Sequence, residues 1–172
     1  MSNNLKHILV IGMPGSGKTS MSRQASKINN MDVLDIDSLL VEKYGKPIST
    51  IFEEDGEEGF REKETAILRE LSEKDYTKPT IFSTGGGIVT RPENIPLMKK
   101  LGKIIFIHRD VGEIANAVRY NKDRPLLEDK EKLYKLWEDR ENLYRSIADA
   151  IILNEGNYRE SAHRLAMMIR EL

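Results

Sequence analysis

The chain contains no cysteine, so disulfides and thiolate metal sites are excluded, and their absence fits the cytoplasm. It has almost no charge excess: 27 basic residues against 28 acidic ones give a net charge of -1. A protein whose main partner is a nucleic-acid backbone needs a basic face, and this balance argues against one, although it leaves room for local basic sites that take a small anion. No apolar run approaches the roughly 18 residues that span a membrane. Met1 to Lys6 is short and polar, so no signal peptide is read there. Repeats, low-complexity tracts and an interdomain linker are also missing. With 39% apolar and 32% charged residues, the 172-residue chain has the composition of a folded globular protein with one core. The expectation is one domain over residues 1–172, cytoplasmic, with no nucleic-acid or membrane partner.

Short apolar runs alternate with longer amphipathic ones, the pattern of an α/β fold with a parallel sheet. Strands are predicted at His7 to Ile11, Met31 to Asp35, Thr80 to Ser83, Lys103 to Ile107 and Ala150 to Leu153. Their Ile, Val, Leu and Phe content suits strands buried on both faces. Helices are predicted over Gly17 to Ile28, Gly56 to Glu73, Pro92 to Leu101, Asp129 to Ser146 and Tyr158 to Leu172. The polar, Pro-containing segment Tyr120 to Lys130 reads as a loop within the domain.

Gly12-Met13-Pro14-Gly15-Ser16-Gly17-Lys18-Thr19 fits G-x-x-x-x-G-K-[ST] completely, and it lies between a strand and a helix as a phosphate loop must. Glycines let successive backbone N–H groups turn inward around a phosphate, and the positive end of the next helix points to the same place. Lys18 supplies charge for the β- and γ-phosphates, and Thr19 offers a hydroxyl to magnesium. This motif announces a nucleoside triphosphate without distinguishing kinases from other users. A guanine-reading N-K-x-D is missing: Asn121-Lys122-Asp123 has the wrong spacing and no strand before it.

Asp35-Ile36-Asp37 closes the second strand run, where ligands bind in open parallel sheets. Alternation in an extended segment puts the two carboxylates on one side. One can serve a magnesium shell through water, and the other can accept from substrate hydroxyls. The alternative is that Asp37 caps the helix beginning at Ser38.

Further on come Ile51-Phe52, Asp55-Gly56-Glu57, Phe60-Arg61 with Glu64, Gly85-Gly86-Gly87, Arg124-Pro125-Leu126-Leu127, and Arg140 with Leu143-Tyr144 and Ala148-Asp149. In order and spacing, with the phosphate loop, this series resembles the shikimate kinase family over nearly the whole chain. The resemblance implies a three-layer αβα P-loop kinase fold, with a five-stranded parallel sheet in the order 2-3-1-4-5. It implies substrate-binding helices at about 37–74, a lid at about 119–130 and a monomer. It implies phosphorylation of shikimate at its 3-hydroxyl by ATP with Mg²⁺. Catalysis would fall to Lys18, Asp37 and Arg124, the last closing the lid over the phosphates that residues 12–19 hold. Arg119 would pack on adenine. Arg61 and Arg140 would clamp the shikimate carboxylate, oriented by Glu64, and Asp37 would bind its hydroxyls. Gly86, within Gly85 to Gly87, would give a backbone donor, and Phe52 and Phe60 would wall the pocket. Thr19 and, through water, Asp35 would serve the metal. The Arg119–Arg124 segment is shorter than the family's lid, and Asn142 stands where a proline is common.

The residue chemistry agrees with a hydroxy-acid acceptor. Arginine forks match a carboxylate in bidentate geometry, an aspartate accepts from hydroxyls, and glycines let a ligand approach the backbone. Simpler readings stand beside these: helical ion pairs for Arg61 and Arg140, a solvated loop arginine for Arg124, a hinge for Gly85 to Gly87. Other readings of the whole are a gluconate or nucleoside-monophosphate kinase of the same architecture, or a nucleotide-binding regulator without catalysis. His7, His108 and His163 belong to no constellation; Met167 and Met168 read as core fill, and Leu136 and Trp137 as packing on a helix face.

Overall fold

The computed structural model describes residues 6–118 and 130–172. Five strands form one parallel sheet: β1 (Ile8–Ile11), β2 (Asp32–Asp35), β3 (Thr80–Ser83), β4 (Lys103–His108) and β5 (Ala150–Leu153). Their order is β2-β3-β1-β4-β5, so the chain winds outward from β1 in both directions. Between them run α1 (Lys18–Asn29), α2 (Ile36–Tyr44), α3 (Ile48–Glu73), α4 (Asn94–Leu101), α5 (Val111–Val118), α6 (Lys130–Ile147) and α7 (Tyr158–Glu171). No helix among the described residues is long and apolar enough to cross a membrane.

Alternation along the central strands creates the layers. Ile8, Val10, Ile81, Ile105, Ile107 and Ile152 face one way and pack with Met21, Ala25 and Leu165 of α1 and α7. Leu9, Ile11, Phe82, Ile104 and Phe106 face the other way and pack with Leu40, Leu68, Met98, Leu133 and Tyr144 of α2, α3, α4 and α6. The three central strands are buried on both faces apart from the ends of β4, as their composition predicts. Edge positions depart from that expectation. Asp32 of β2 is exposed, and in β5 Ile151 and Leu153 remain 39% and 46% exposed, because each edge strand has one neighbour and incomplete helical cover.

Predicted boundaries hold to within two residues for most elements, with three differences. Asp35 and Asp37 are not on one side of an extended segment: α2 begins at Ile36, and Asp35 caps it by accepting from the Ser38 N–H at 3.0 Å. The cap is therefore Asp35, while Asp37 lies in the first turn. Next, α3 starts at Ile48 rather than Gly56, which forms a break within it at φ 69°. Finally, α5 was not foreseen. It is short and carries Gly112, but Asp110 accepts from the Glu113 N–H at 3.1 Å, and this D-x-x-E spacing is its sequence signal. Met168 packs at the core margin as expected, whereas Met167 is 41% exposed because it falls on the outer face of α7.

Asn94 ties α4 to the site described next. Fully buried, it accepts from Thr65 Oγ1 of α3 at 2.8 Å and donates to the Ile88 carbonyl at 2.8 Å, at the start of a 3₁₀ turn (Ile88–Thr90) that follows the glycine run. Asn94→Ala leaves two buried partners unmatched and is expected to cost about 2–4 kcal/mol, read by urea denaturation. A cost below about 0.5 kcal/mol would show that the two partners find other bonds.

Candidate active site

The site lies beyond the carboxyl ends of β1, β2 and β3, at the point where the order of the strands reverses. From β1 the chain enters the phosphate loop and passes into α1 through Gly17, whose φ of 95° is a conformation that disfavours a side chain. Asn154, just after β5, donates to the Ser16 carbonyl at 2.8 Å, and Arg109, just after β4, donates to the Gly15 carbonyl at 3.1 Å. Both brace the loop from outside, and neither was picked out from the sequence. Lys18 folds back over the loop, its ammonium donating to the carbonyls of Gly12 at 2.9 Å and Met13 at 2.8 Å. That places its charge above the ring of backbone groups.

Three oxygen side chains meet beside Lys18. Thr19 Oγ1 donates to Asp35 Oδ2 at 2.8 Å and lies 3.2 Å from Ser83 Oγ. Asp35 thus uses one oxygen for the helix cap and the other for Thr19. Hard oxygen donors of this kind suit Mg²⁺, which takes few protein ligands and relies on phosphates and water. The donor set therefore fits such an ion, which Thr19 and Asp35 could hold.

On the acceptor side, Gly85, Gly86 and Gly87 each leave room for a different group. A Cβ on Gly85 would stand 2.8 Å from Glu64 Oε2 and 3.1 Å from Asp37 Oδ1; one on Gly86 would stand 2.7 Å from Pro14 Cδ; one on Gly87 would stand 2.0 Å from Arg61 Nη2. The run is a point of close approach rather than a hinge: phosphate loop, α2 and α3 all touch it. Arg61 donates to Glu64 Oε1 at 2.8 Å, and both are buried. Arg140 is buried on α6, with no ion pair along the helix among the described residues, and its charge reaches Glu64. Arg61 Nε and Glu64 Oε2 have no hydrogen-bond partner among the described residues. Phe52 and Phe60 stack at 4.3 Å, and the Arg61 guanidinium lies 5.1 Å from the Phe60 ring centre.

Burial pushes the Glu64 carboxyl above its usual range and Asp37 adds to the shift, while Arg61 and Arg140 pull against it. Tyr144 of α6 is pushed up to about 12 by burial, so it remains a protonated donor. Arg119 and Arg124 lie outside the described residues, as does the lid up to α6. Of the three histidines, His7 accepts from the Thr80 N–H at 3.1 Å and His108 stacks on Trp137 at 5.0 Å, both contacts that serve packing. A separate cleft of about 390 Å³ opens beside α1, lined by Gly17, Ser20, Arg109, Asn154, Gly156 and Tyr158. Sequence reasoning missed it; the position of Asn154 directly after a parallel strand is the signal that could have found it.

A phosphate loop at the sheet's switch point, facing a buried cluster of arginines and carboxylates, defines a P-loop kinase that acts on a small acid. A family model described as shikimate kinase matches residues 14–170, and the chain belongs to the shikimate kinase family. It is 41% identical over 149 residues to the shikimate kinase of Clostridium beijerinckii, covering 86% of this chain and 85% of that one. Against the shikimate kinase of Dictyoglomus turgidum the identity is 42%, covering 83% and 84%. The structure of shikimate kinase from Acinetobacter baumannii in complex with shikimate superposes with a TM-score of 0.88 at 32% identity, covering 98% of this chain and 94% of that one.

The Glu64 shift has a consequence for stability. A carboxyl whose pKa is raised by folding holds its proton more tightly in the folded state. Its contribution is fully present below about pH 4 and is lost as pH rises through the raised value. Glu64→Gln lacks this loss, so its Tm relative to the parent is expected to climb between about pH 4 and neutrality. A difference that stays flat over that interval would show that the Arg61 and Arg140 charges cancel the effect of burial.

Proposed function

We propose that this protein transfers the γ-phosphoryl group of ATP to the 3-hydroxyl of shikimate, giving shikimate 3-phosphate and ADP. The whole chain would act as one kinase domain, monomeric, in the cytoplasm, within the chorismate branch of aromatic amino-acid synthesis. The observation that carries this reading is the meeting of Asp37, Arg61 and Glu64 at the same glycine run that the phosphate loop touches through Pro14. Shikimate needs a fork for its carboxylate and acceptors for its hydroxyls, and the Nε–H of buried Arg61 has no partner among the described residues. Membership of the family and the shikimate-bound relative support the same substrate.

In this scheme Arg61 and Arg140 bind the carboxylate, Glu64 holds Arg61 in place, and Phe52 and Phe60 wall the ring. Gly85 to Gly87 give backbone N–H groups to the acceptor. Asp37 accepts from the hydroxyl that attacks and orients it toward the phosphoryl group. The loop of residues 12–19 cradles the phosphates, and Lys18 neutralises charge developing on the phosphoryl oxygens. Thr19 and, through water, Asp35 would hold Mg²⁺, which would supply further charge neutralisation when bound. The cleft beside α1 takes the adenine, with Tyr158 available for stacking. From the segment outside the described residues, Arg119 adds to the adenine contact and Arg124 covers the phosphates when the lid closes. Positioning and electrostatics supply most of the rate, and closure keeps water from accepting the phosphoryl group.

Purified protein with Mg-ATP is expected to release ADP at least 10²-fold faster with shikimate than without. No stimulation by shikimate, with turnover on gluconate or a nucleoside monophosphate instead, would overturn the acceptor assignment. Arg61→Ala should raise the shikimate KM about 10²-fold while leaving the ATP KM nearly unchanged. Arg124→Ala should lower kcat by about 10³-fold or more with ATP binding kept. An unchanged shikimate KM in the first variant removes Arg61 from the carboxylate clamp, and near-normal turnover in the second removes Arg124 from the phosphoryl site.

A further inference from the structure

Three adjacent glycines are the least self-determined backbone in the site, since each can take many conformations and has no side chain to anchor it. Something outside the run must therefore choose its conformation. The buried phenol of Tyr144 is placed to do so. Its hydroxyl donates to the Gly86 carbonyl at 2.5 Å and lies 3.9 Å from Met13 Sδ of the phosphate loop. Its ring stacks on Phe106 of β4 with centroids 5.0 Å apart, so the hydroxyl is held from the sheet. Arg140 stands one helical turn earlier on α6, on the same face, and its charge acts on the same phenol.

The direction of these bonds is fixed by chemistry. Arginine only donates, and a phenol has one proton and lone pairs to spare. The Tyr144 proton goes to the Gly86 carbonyl, which leaves the lone pairs of its oxygen for the positive charge of Arg140. A peptide unit is planar and trans, and no cis bond occurs among the described residues. Holding the Gly86 carbonyl against Tyr144 therefore sends the Gly87 N–H the opposite way. Among the described residues, no backbone acceptor takes the N–H of Gly85, Gly86 or Gly87. No backbone partner aims them, and their aim is set from behind, through the hold on the Gly86 carbonyl.

We propose that Tyr144 is a positioning residue for phosphoryl transfer: its hydroxyl fixes the Gly86–Gly87 peptide and the Arg140 guanidinium relative to the phosphate loop. The inference rests on the acceptor site assigned above. Packing alone would not need the hydroxyl. A phenylalanine would fill the same space against Phe106 without burying a polar group.

The test compares Tyr144→Phe with Phe106→Leu, which keeps the hydroxyl but weakens the stack. Shikimate KM, ATP KM, kcat and Tm are measured on each, together with hydrogen exchange over residues 83–90. Tyr144→Phe is expected to fold, to exchange about tenfold faster at Ile88 and Thr90, whose N–H groups bond the carbonyls of Gly85 and Gly87, and to raise the shikimate KM about tenfold. Its kcat should fall about 10- to 100-fold, with the ATP KM within about twofold of the parent. Phe106→Leu should lose stability with much smaller kinetic change. Parent-like exchange and kinetics in Tyr144→Phe would overturn the proposal. So would failure of Tyr144→Phe to fold, or parallel losses of Tm and activity in both variants, since either would make the residue structural only. If the parent itself ignores shikimate, the acceptor assignment fails separately, and exchange at Ile88 and Thr90 still decides whether Tyr144 pins the loop.

Discussion

The closeness of Gly85–Gly87 to its neighbours sets the dimensions of the whole site, because a single Cβ on any of the three would collide with a different functional element. On Gly86 it would meet Pro14 and push the phosphate loop away from β3; on Gly87 it would occupy the seat of the Arg61 guanidinium; on Gly85 it would crowd Glu64 and Asp37. The donor and acceptor halves of the site can share one wall only because that wall has no side chains. The expectation from sequence was that glycines admit a ligand to the backbone. In the fold they first admit other parts of the protein.

Such closeness concentrates charge. Asp37, Arg61 and Arg140 all lie within electrostatic reach of Glu64, with Glu64 and both arginines buried. Buried ion groups seldom repay their desolvation through stability, so their presence argues for a role in binding. The arithmetic of the cluster is informative. Fully ionised, these four side chains sum to zero, and a carboxylate entering among them would leave one buried negative charge uncompensated. With Glu64 protonated they sum to one positive charge, which a carboxylate neutralises. The upward push on Glu64 and the binding of a monoanion thus favour the same protonation state.

How much of this could be read from the amino-acid sequence depended on whether a motif was contiguous. The phosphate loop was legible in full because backbone curl, lysine and hydroxyl occur within eight consecutive residues. Sheet order and the αβα layering followed from the family resemblance, and the strand runs matched because buried parallel strands are apolar throughout. The Asp35–Asp37 geometry was misjudged because a helix began one residue after the strand, and a two-residue period cannot foresee a three-and-a-half-residue one. Arg109 and Asn154 were missed since each acts singly, through one side-chain bond to a distant loop carbonyl. Tyr144 appeared only as part of a motif. Its hydrogen bond to Gly86 spans 58 residues of sequence, and no local pattern encodes it.

The same long-range bond answers a problem the glycines create. A wall without side chains allows close approach but has no means of fixing its own peptide planes, and phosphoryl transfer depends on alignment more than on chemical participation by the protein. The restraint has to come from an element that does not itself touch the reacting atoms. Helix α6 supplies it. Its Arg140 faces the acceptor cluster and its Tyr144, one turn on, holds the loop, while the Phe106 stack ties both to the central sheet. Flexibility required for proximity is thereby removed from behind, so the site can be both tightly packed and precisely aimed.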